Sequence, residues 1–252
     1  MREFWSFQAR ADHTDLYILE DIANEESWWF DNVTPQAFRR QLSGVTGELH
    51  VWFDSYGGDV FAGATIYDML REYSRTGRGK TVAIISMAAS AASLIAMACD
   101  EIRISILGTI MIHEPWASLA GKASVLRANA DVLESIRDAQ IEAYAQRTGQ
   151  TKEKVLELMQ GSDGNGTWMN ANMAVELGFA DTIIDGEGSS DAAKVAASLR
   201  DVRMQSALAR ASDQAAAIAV AKKPEDAPEP ETDPEDEKAW RALMRMCFES
   251  YE

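Results

Sequence analysis

The sequence predicts an α/β fold built on a largely parallel sheet, and three observations carry that reading. GELHVWFDSYGGDVFAGATIYDMLREYSRT reads as strand, turn and helix. KTVAIISMAASAASLIAMAC repeats the same grammar, and two short apolar strands, EIRIS and GTIMIH, follow it. In the first unit the alternating ELHVWF is the strand, DSYGGD breaks it, and Val60, Ile66, Met69, Leu70 and Tyr73 recur at helical spacing.

The second unit contains the only long uncharged run, the 19 residues between Lys80 and Asp100. A bilayer span needs about 20 residues, and they must be apolar. Alanine and serine dominate here, and they contribute little to insertion. The better reading is a buried strand KTVAIIS, a tight turn from Met87 to Ser90, and a buried helix SAASLIAMAC whose small side chains let it approach the sheet closely.

Further along, residues 123–148 carry apolar positions at Val125, Val132, Leu133, Ile136, Ile141 and Tyr144 with no proline or glycine, which predicts a long helix closed by Gly149. TKEKVLELMQG predicts another helix, SDGNGT a turn, and WMNANMAVELGFADTIID a short helix followed by a last strand. The compact domain is expected to span residues 1–185. Beyond it, residues 186–221 have helix-forming composition with few large apolar side chains. Residues 222–238 hold four of the six prolines among acidic residues and read as a disordered linker. Residues 239–252 return to apolar positions three and four apart and read as a short amphipathic tail helix.

Bulk properties set limits on function. A net charge of −16 argues against unaided binding to nucleic acid or an anionic membrane, because both surfaces repel it. Two distant cysteines, Cys99 and Cys247, give neither a disulfide framework nor metal-ligand spacing, so nothing asks for an oxidising compartment. No metal and no cofactor are expected. The N-terminal stretch lacks the apolar core of a signal peptide, and a cytoplasmic chain is the expectation.

The chemistry centres on Ser90. A serine at a strand-to-helix turn presents its hydroxyl at the sheet's carboxyl edge, where the helix start supplies unpaired N–H groups. A small residue needed only for packing would explain the string equally well. The adjacent glycines of SYGGD let the backbone adopt positive φ and aim an N–H at a substrate carbonyl, although a bare turn would also use them. His113, of the three histidines, is the one at a strand end, whereas His13 lies in a polar stretch and His50 inside a strand. A glycine turn, a serine and a histidine at successive strand ends converge on one edge as parts of an acyl-transfer site.

The elements FDSYGGDVFAGATIYDML, SMAASAASLIAMACDEIRI, MIHEPW and WMNANMAVELGFAD, in this order, resemble the proteolytic subunit of the Clp protease over residues 16–185. FWSFQARADHTDLYILEDI, WWFDNVTPQAFRRQL, the GGDVFAGATIY variant and the acidic extension resemble the phage head maturation branch of that family. The resemblance implies a ClpP/crotonase-like fold of repeated ββα units with a long protruding helix. It implies a serine endopeptidase in a homo-oligomeric ring, acting on peptide and protein substrates, with phage scaffold and capsid precursors among them. Ser90 would be the nucleophile, His113 the general base, and the Gly57 and Ala91 N–H groups the oxyanion hole.

One position departs from the pattern. The family's aspartate, two residues before Trp168, is here Gly166, and the nearby loop offers Asp163 and Asn165 instead. Asp163 is the expected orienting acid, with a serine–histidine dyad as the alternative. Three other readings compete. Enoyl-CoA hydratase-like enzymes share paired oxyanion N–H groups but act through carboxylates. A serine–lysine protease of the signal-peptide-peptidase type would need Lys80 or Lys122, and an inactive ring component would need no base at all. The chain shows no nucleotide-binding loop, so energy-dependent unfolding would require a partner ATPase.

Overall fold

The computed structural model describes residues 8–9, 12–25 and 32–184. The chain divides into two units, Met1–Leu199 and Arg200–Glu252, and every described residue lies in the first. The expected extension at 186–221, linker at 222–238 and tail helix at 239–252 all lie outside the described residues.

The strands are β1 (Gln8–Ala9), β2 (His13–Ile18), β3 (Asp21–Ile22), β4 (Asn32–Val33), β5 (Glu48–Ser55), β6 (Thr81–Ala89), β7 (Glu101–Ile112), β8 (Thr167–Asn170) and β9 (Thr182–Ile184). The helices are α1 (Pro35–Leu42), α2 (Val60–Arg75), α3 (Ala91–Ala96), α4 (Ala123–Thr148), α5 (Lys152–Gln160) and α6 (Ala171–Glu176). One sheet has the order β1-β2-β5-β6-β7-β8, with β9 also on β7, and β3 and β4 form a separate pair. The β2-β5-β6-β7 centre is parallel, and β1 and β8 are antiparallel to their neighbours. This is the expected α/β architecture.

Parallel pairing sets directly opposed side chains on one face. Leu16, Ile18, Leu49, Val51, Phe53, Ala83, Ile85, Ile102 and Ile104 bury one face against Phe38 and Leu42 of α1 and Ile66, Leu70 and Tyr73 of α2. Burying a large aliphatic or aromatic side chain contributes about 1.5–3 kcal/mol, so this layer contributes strongly to the stability of the domain. Side chains fix where the helices begin. Thr34 Oγ1 accepts from Ala37 N (3.2 Å) and Asp59 Oδ1 from Ala62 N (2.8 Å), caps worth about 1 kcal/mol each. Gly149, at φ +73, closes α4 with its N–H donated to Ala145 O.

Three local readings of the sequence change. The strand β6 runs on to Ala89, so the turn expected over Met87 to Ser90 shrinks to Ser90 alone. The two short strands expected after it are one strand, β7, whose pairing with β6 jumps from Ile85↔Ile104 to Met87↔Thr109. Ser105–Gly108 bulge out at that jump with Ile106 and Leu107 exposed, which is why the sequence reads as two strands. TWMN is a strand rather than part of the following helix, because it finds the free edge of β7.

No helix among the described residues is long and apolar enough to cross a membrane. The 19-residue apolar run is β6 and α3, both buried in the core. In α4 only Ile141 and Tyr144, near its C-terminal end, are buried, and Val125, Leu126 and Val132 in its first half are exposed.

Candidate active site

Ser90 is the single residue between β6 and α3. Its φ of +53° and ψ of −126° make it the only non-glycine residue with positive φ among the described residues. Such a conformation costs about 1–3 kcal/mol and persists only where the surroundings impose it. Here they do. Ser90 N donates to Met111 O (2.9 Å) on β7, and Ser90 O accepts from Ser93 N (3.0 Å), Leu94 N (3.3 Å) and Ser93 Oγ (2.7 Å). The Ser93 hydroxyl also bonds the hydroxyl of buried Tyr144 (2.8 Å), so α4 braces the turn. Burial pushes the Tyr144 phenol up, which keeps it neutral.

The glycine turn faces this serine. Gly57, at φ +99, lies so close that a β-carbon there would stand 2.8 Å from Ser90 Cβ and 2.9 Å from Ala91 N. Its own N–H, expected to serve the oxyanion, donates instead to Ser55 Oγ (3.1 Å), whose hydroxyl donates to Glu20 O (2.7 Å). Gly58 forms a parallel bridge with Ile22 through Ile22 N to Gly57 O and Asp59 N to Ile22 O. In that pattern the N–H of Gly58 itself points away from the bridge.

His113 follows the last residue of β7, and its Nε2 lies 2.8 Å from Ser90 Oγ. The residues that meet come from positions 23 apart, joined because β6 and β7 are neighbours in parallel register. Among the described residues no carboxylate pairs with His113. Asp163 is exposed and closed on its own loop, its oxygens accepting from Asn165 N and Asn165 Nδ2, both at 3.1 Å. The Asn165 amide bond holds the Asp163 carboxyl below its ordinary range.

The expectation for Asp163 therefore fails in this structure, for a geometric reason. Gly166 N donates to Gln160 O, and the Gly161 and Gly166 backbones touch, which pinches the loop at its base. Residues 162–165 then project into solvent. The backbone of Gly166 occupies the ground beside His113 where an acid was sought.

The other candidate residues separate cleanly. Ser93 is fully buried and bonded to Tyr144, and Ser86 lies four residues back along β6 at an exposed position. Lys80 pairs with Glu101 Oε2 (2.5 Å) at the start of β6, about 30 Å of strand from Ser90. Ser55, Ser93 and Tyr144 support the turn without any local signature in the sequence. Their only signal is that each is a polar residue inside an apolar or strand-like stretch.

A model of the Clp protease family matches residues 31–187. The ATP-dependent Clp protease proteolytic subunit 2 of Treponema denticola is 28% identical over 174 residues, which are 68% of this chain and 82% of that protein. Subunit 2 of Gluconobacter oxydans is 30% identical over 145 residues, 57% of this chain and 63% of that protein. The proteolytic subunit of Borrelia garinii subsp. bavariensis is 27% identical over 155 residues, 61% and 77% of the two chains. An asparagine-to-aspartate mutant of ClpP1 from Listeria monocytogenes shares the fold, with a TM-score of 0.54 at 22% identity over 69% of this chain and 92% of that one.

Proposed function

Because the chain belongs to the Clp protease family, whose members are serine endopeptidases, we propose that it hydrolyses peptide bonds with Ser90 as nucleophile and His113 as general base. The observation that carries the reading is the 2.8 Å contact between Ser90 Oγ and His113 Nε2 at a serine held at positive φ. His113 Nε2 takes the hydroxyl proton as Oγ attacks the scissile carbonyl, then returns it to the leaving amine. Water repeats the sequence to release the acyl group.

The tetrahedral oxygen needs two N–H donors. Ala91, at the first position of α3, supplies one. Gly58 supplies the other in this reading, since the Gly57 N–H is engaged by Ser55. Asp163 stays outside the machinery, and His113 works with Ser90 as a dyad. The missing acid also supports a second reading, a weak or inactive ring component, because the histidine tautomer is then left to chance.

The exposed apolar residues of the first half of α4, Val125, Leu126 and Val132, are the contact surface between copies in a homo-oligomeric ring. The GGDVFAGATIY variant and the acidic proline-rich segment support a role in phage head maturation, with scaffold and capsid precursors as the substrates. Fluorophosphonate labelling read by intact mass, with peptide hydrolysis alongside, tests the catalytic reading. Wild type should gain one adduct and Ser90→Ala none. An adduct that persists in Ser90→Ala removes the assignment, and labelling without hydrolysis favours the inactive reading. Cleavage of a co-expressed scaffold or capsid precursor tests the substrate class.

A further inference from the structure

We propose that His13, Asp15 and His50 form a binding site for one divalent transition-metal ion that pins β2 to β5. The sequence hides the site, because His13 and Asp15 lie on β2 and His50 lies far along the chain on β5. The fold assembles it. β2 and β5 are parallel with Asp15 opposite His50 and His13 opposite Glu48, so all four side chains stand on one face of the sheet.

A ligand atom from each of His13, Asp15 and His50 lies within 4.8 Å of the other two. His13 Nε2 and Asp15 Oδ1 are 3.3 Å apart, and bonds of zinc length in a tetrahedron hold ligand atoms about 3.3 Å apart. The imidazoles stack with centroids 3.9 Å apart and planes 23° from parallel, which keeps a nitrogen of His50 beside the other two ligand atoms. The outer contacts are those that metal ligands use. His13 Nδ1 bonds Asp12 Oδ1 (2.8 Å), His50 Nε2 bonds Glu48 Oε1 (2.8 Å), and Trp52 Nε1 donates to Asp15 Oδ1 (2.8 Å). Such partners orient ligands and raise their basicity.

Charge and burial point the same way. Three carboxylates, of Asp12, Asp15 and Glu48, surround two imidazoles, and Asp15 is only 2% exposed. A dication offsets that excess of negative charge. Two nitrogen donors with one carboxylate favour zinc or a neighbouring transition metal over magnesium or calcium, which prefer oxygen sets. Gly57 stands seven residues beyond His50 along β5, about 20 Å away, so this site is separate from Ser90. Its role is structural. A bound ion adds its binding free energy to the folded state and ties β2 to β5.

The test uses the untagged full chain, stripped with EDTA, dialysed and titrated calorimetrically with zinc chloride. One ion per chain is expected, with affinity about 100-fold lower in His13→Gln and in His50→Gln. The His113→Ala chain serves as a control for the catalytic imidazole and should bind as wild type does. Zinc should raise the melting temperature of wild type and leave that of His50→Gln unmoved. Should the ligand variants fail to fold, Trp52→Phe removes only the donor to Asp15 and should weaken binding by about 10-fold. No saturable binding, or equal binding in wild type and all of these β2 and β5 variants, overturns the proposal. So does magnesium binding as tightly as zinc.

Discussion

Gly166 lies with its backbone against His113: a β-carbon built on it would stand 2.6 Å from His113 Cβ and 2.3 Å from Ile112 O. Its φ of +87° is a conformation that side-chain-bearing residues avoid. Placing a carboxylate there requires the β8 edge to move away from β7 first. Gly166→Asp is therefore expected to lose about 1–3 kcal/mol of stability without a gain in peptide hydrolysis. Thermal melts and kcat/KM for the two proteins check this, and a Gly166→Asp chain that is as stable and several-fold faster would refute it.

Asp163→Asn should behave as wild type. Its carboxylate meets only Asn165 within a loop pinched shut at Gly161 and Gly166, and it makes no contact with His113. Loss of a true triad acid would lower kcat by roughly 10⁴. Hydrolysis rates within a factor of about 2 are expected instead, and a fall of even about 100-fold would place Asp163 in the working site.

The hydroxyl pair of Ser93 and Tyr144 should show coupling. Ser93→Ala leaves the buried Tyr144 hydroxyl without its partner and frees Ser90 O from one of its three donors, a loss of about 1–3 kcal/mol. Tyr144→Phe, which removes the other half of the pair, should cost less. The double variant is expected to be more stable than the two single losses summed, because no orphaned hydroxyl remains. Denaturant melts of the four proteins give the cycle, and strict additivity would show that the bond carries no coupling.

These contrasts show what the sequence made legible. Helix α4 was readable to the residue, because an uninterrupted run of helix formers ends at a glycine that needs positive φ. The nearness of Ser90 and His113 was readable because one follows β6 and the other β7, and parallel neighbours bring such strand ends together. Asp163 misled because sequence proximity says nothing about a loop closing on itself. The capture of the Gly57 N–H by Ser55 was invisible because it depends on a tertiary path through Glu20. The single-strand nature of β7 was hidden by a bulge that looks like a turn. His13 and His50 looked unrelated because register between strands far apart in the chain is invisible to spacing.

Arg103 Nε (2.6 Å) and Lys80 Nζ (2.5 Å) both bond the Glu101 carboxylate at the start of β7. Those bonds, Arg103 first, lower its pKa from 4.5 to about 2. A carboxyl with a depressed folded-state pKa binds fewer protons folded than unfolded, so it stabilises the fold above its unfolded value. That contribution is complete above about pH 5 and falls away as pH drops through 4.5 towards 2. Glu101→Gln, which cannot ionise, should thus be less stable than wild type at neutral pH, and the gap should close as pH approaches 2. Urea melts at stepped pH on both proteins check the sign, and a gap that widens on acidification would mean that Glu101 is protonated more readily in the folded state.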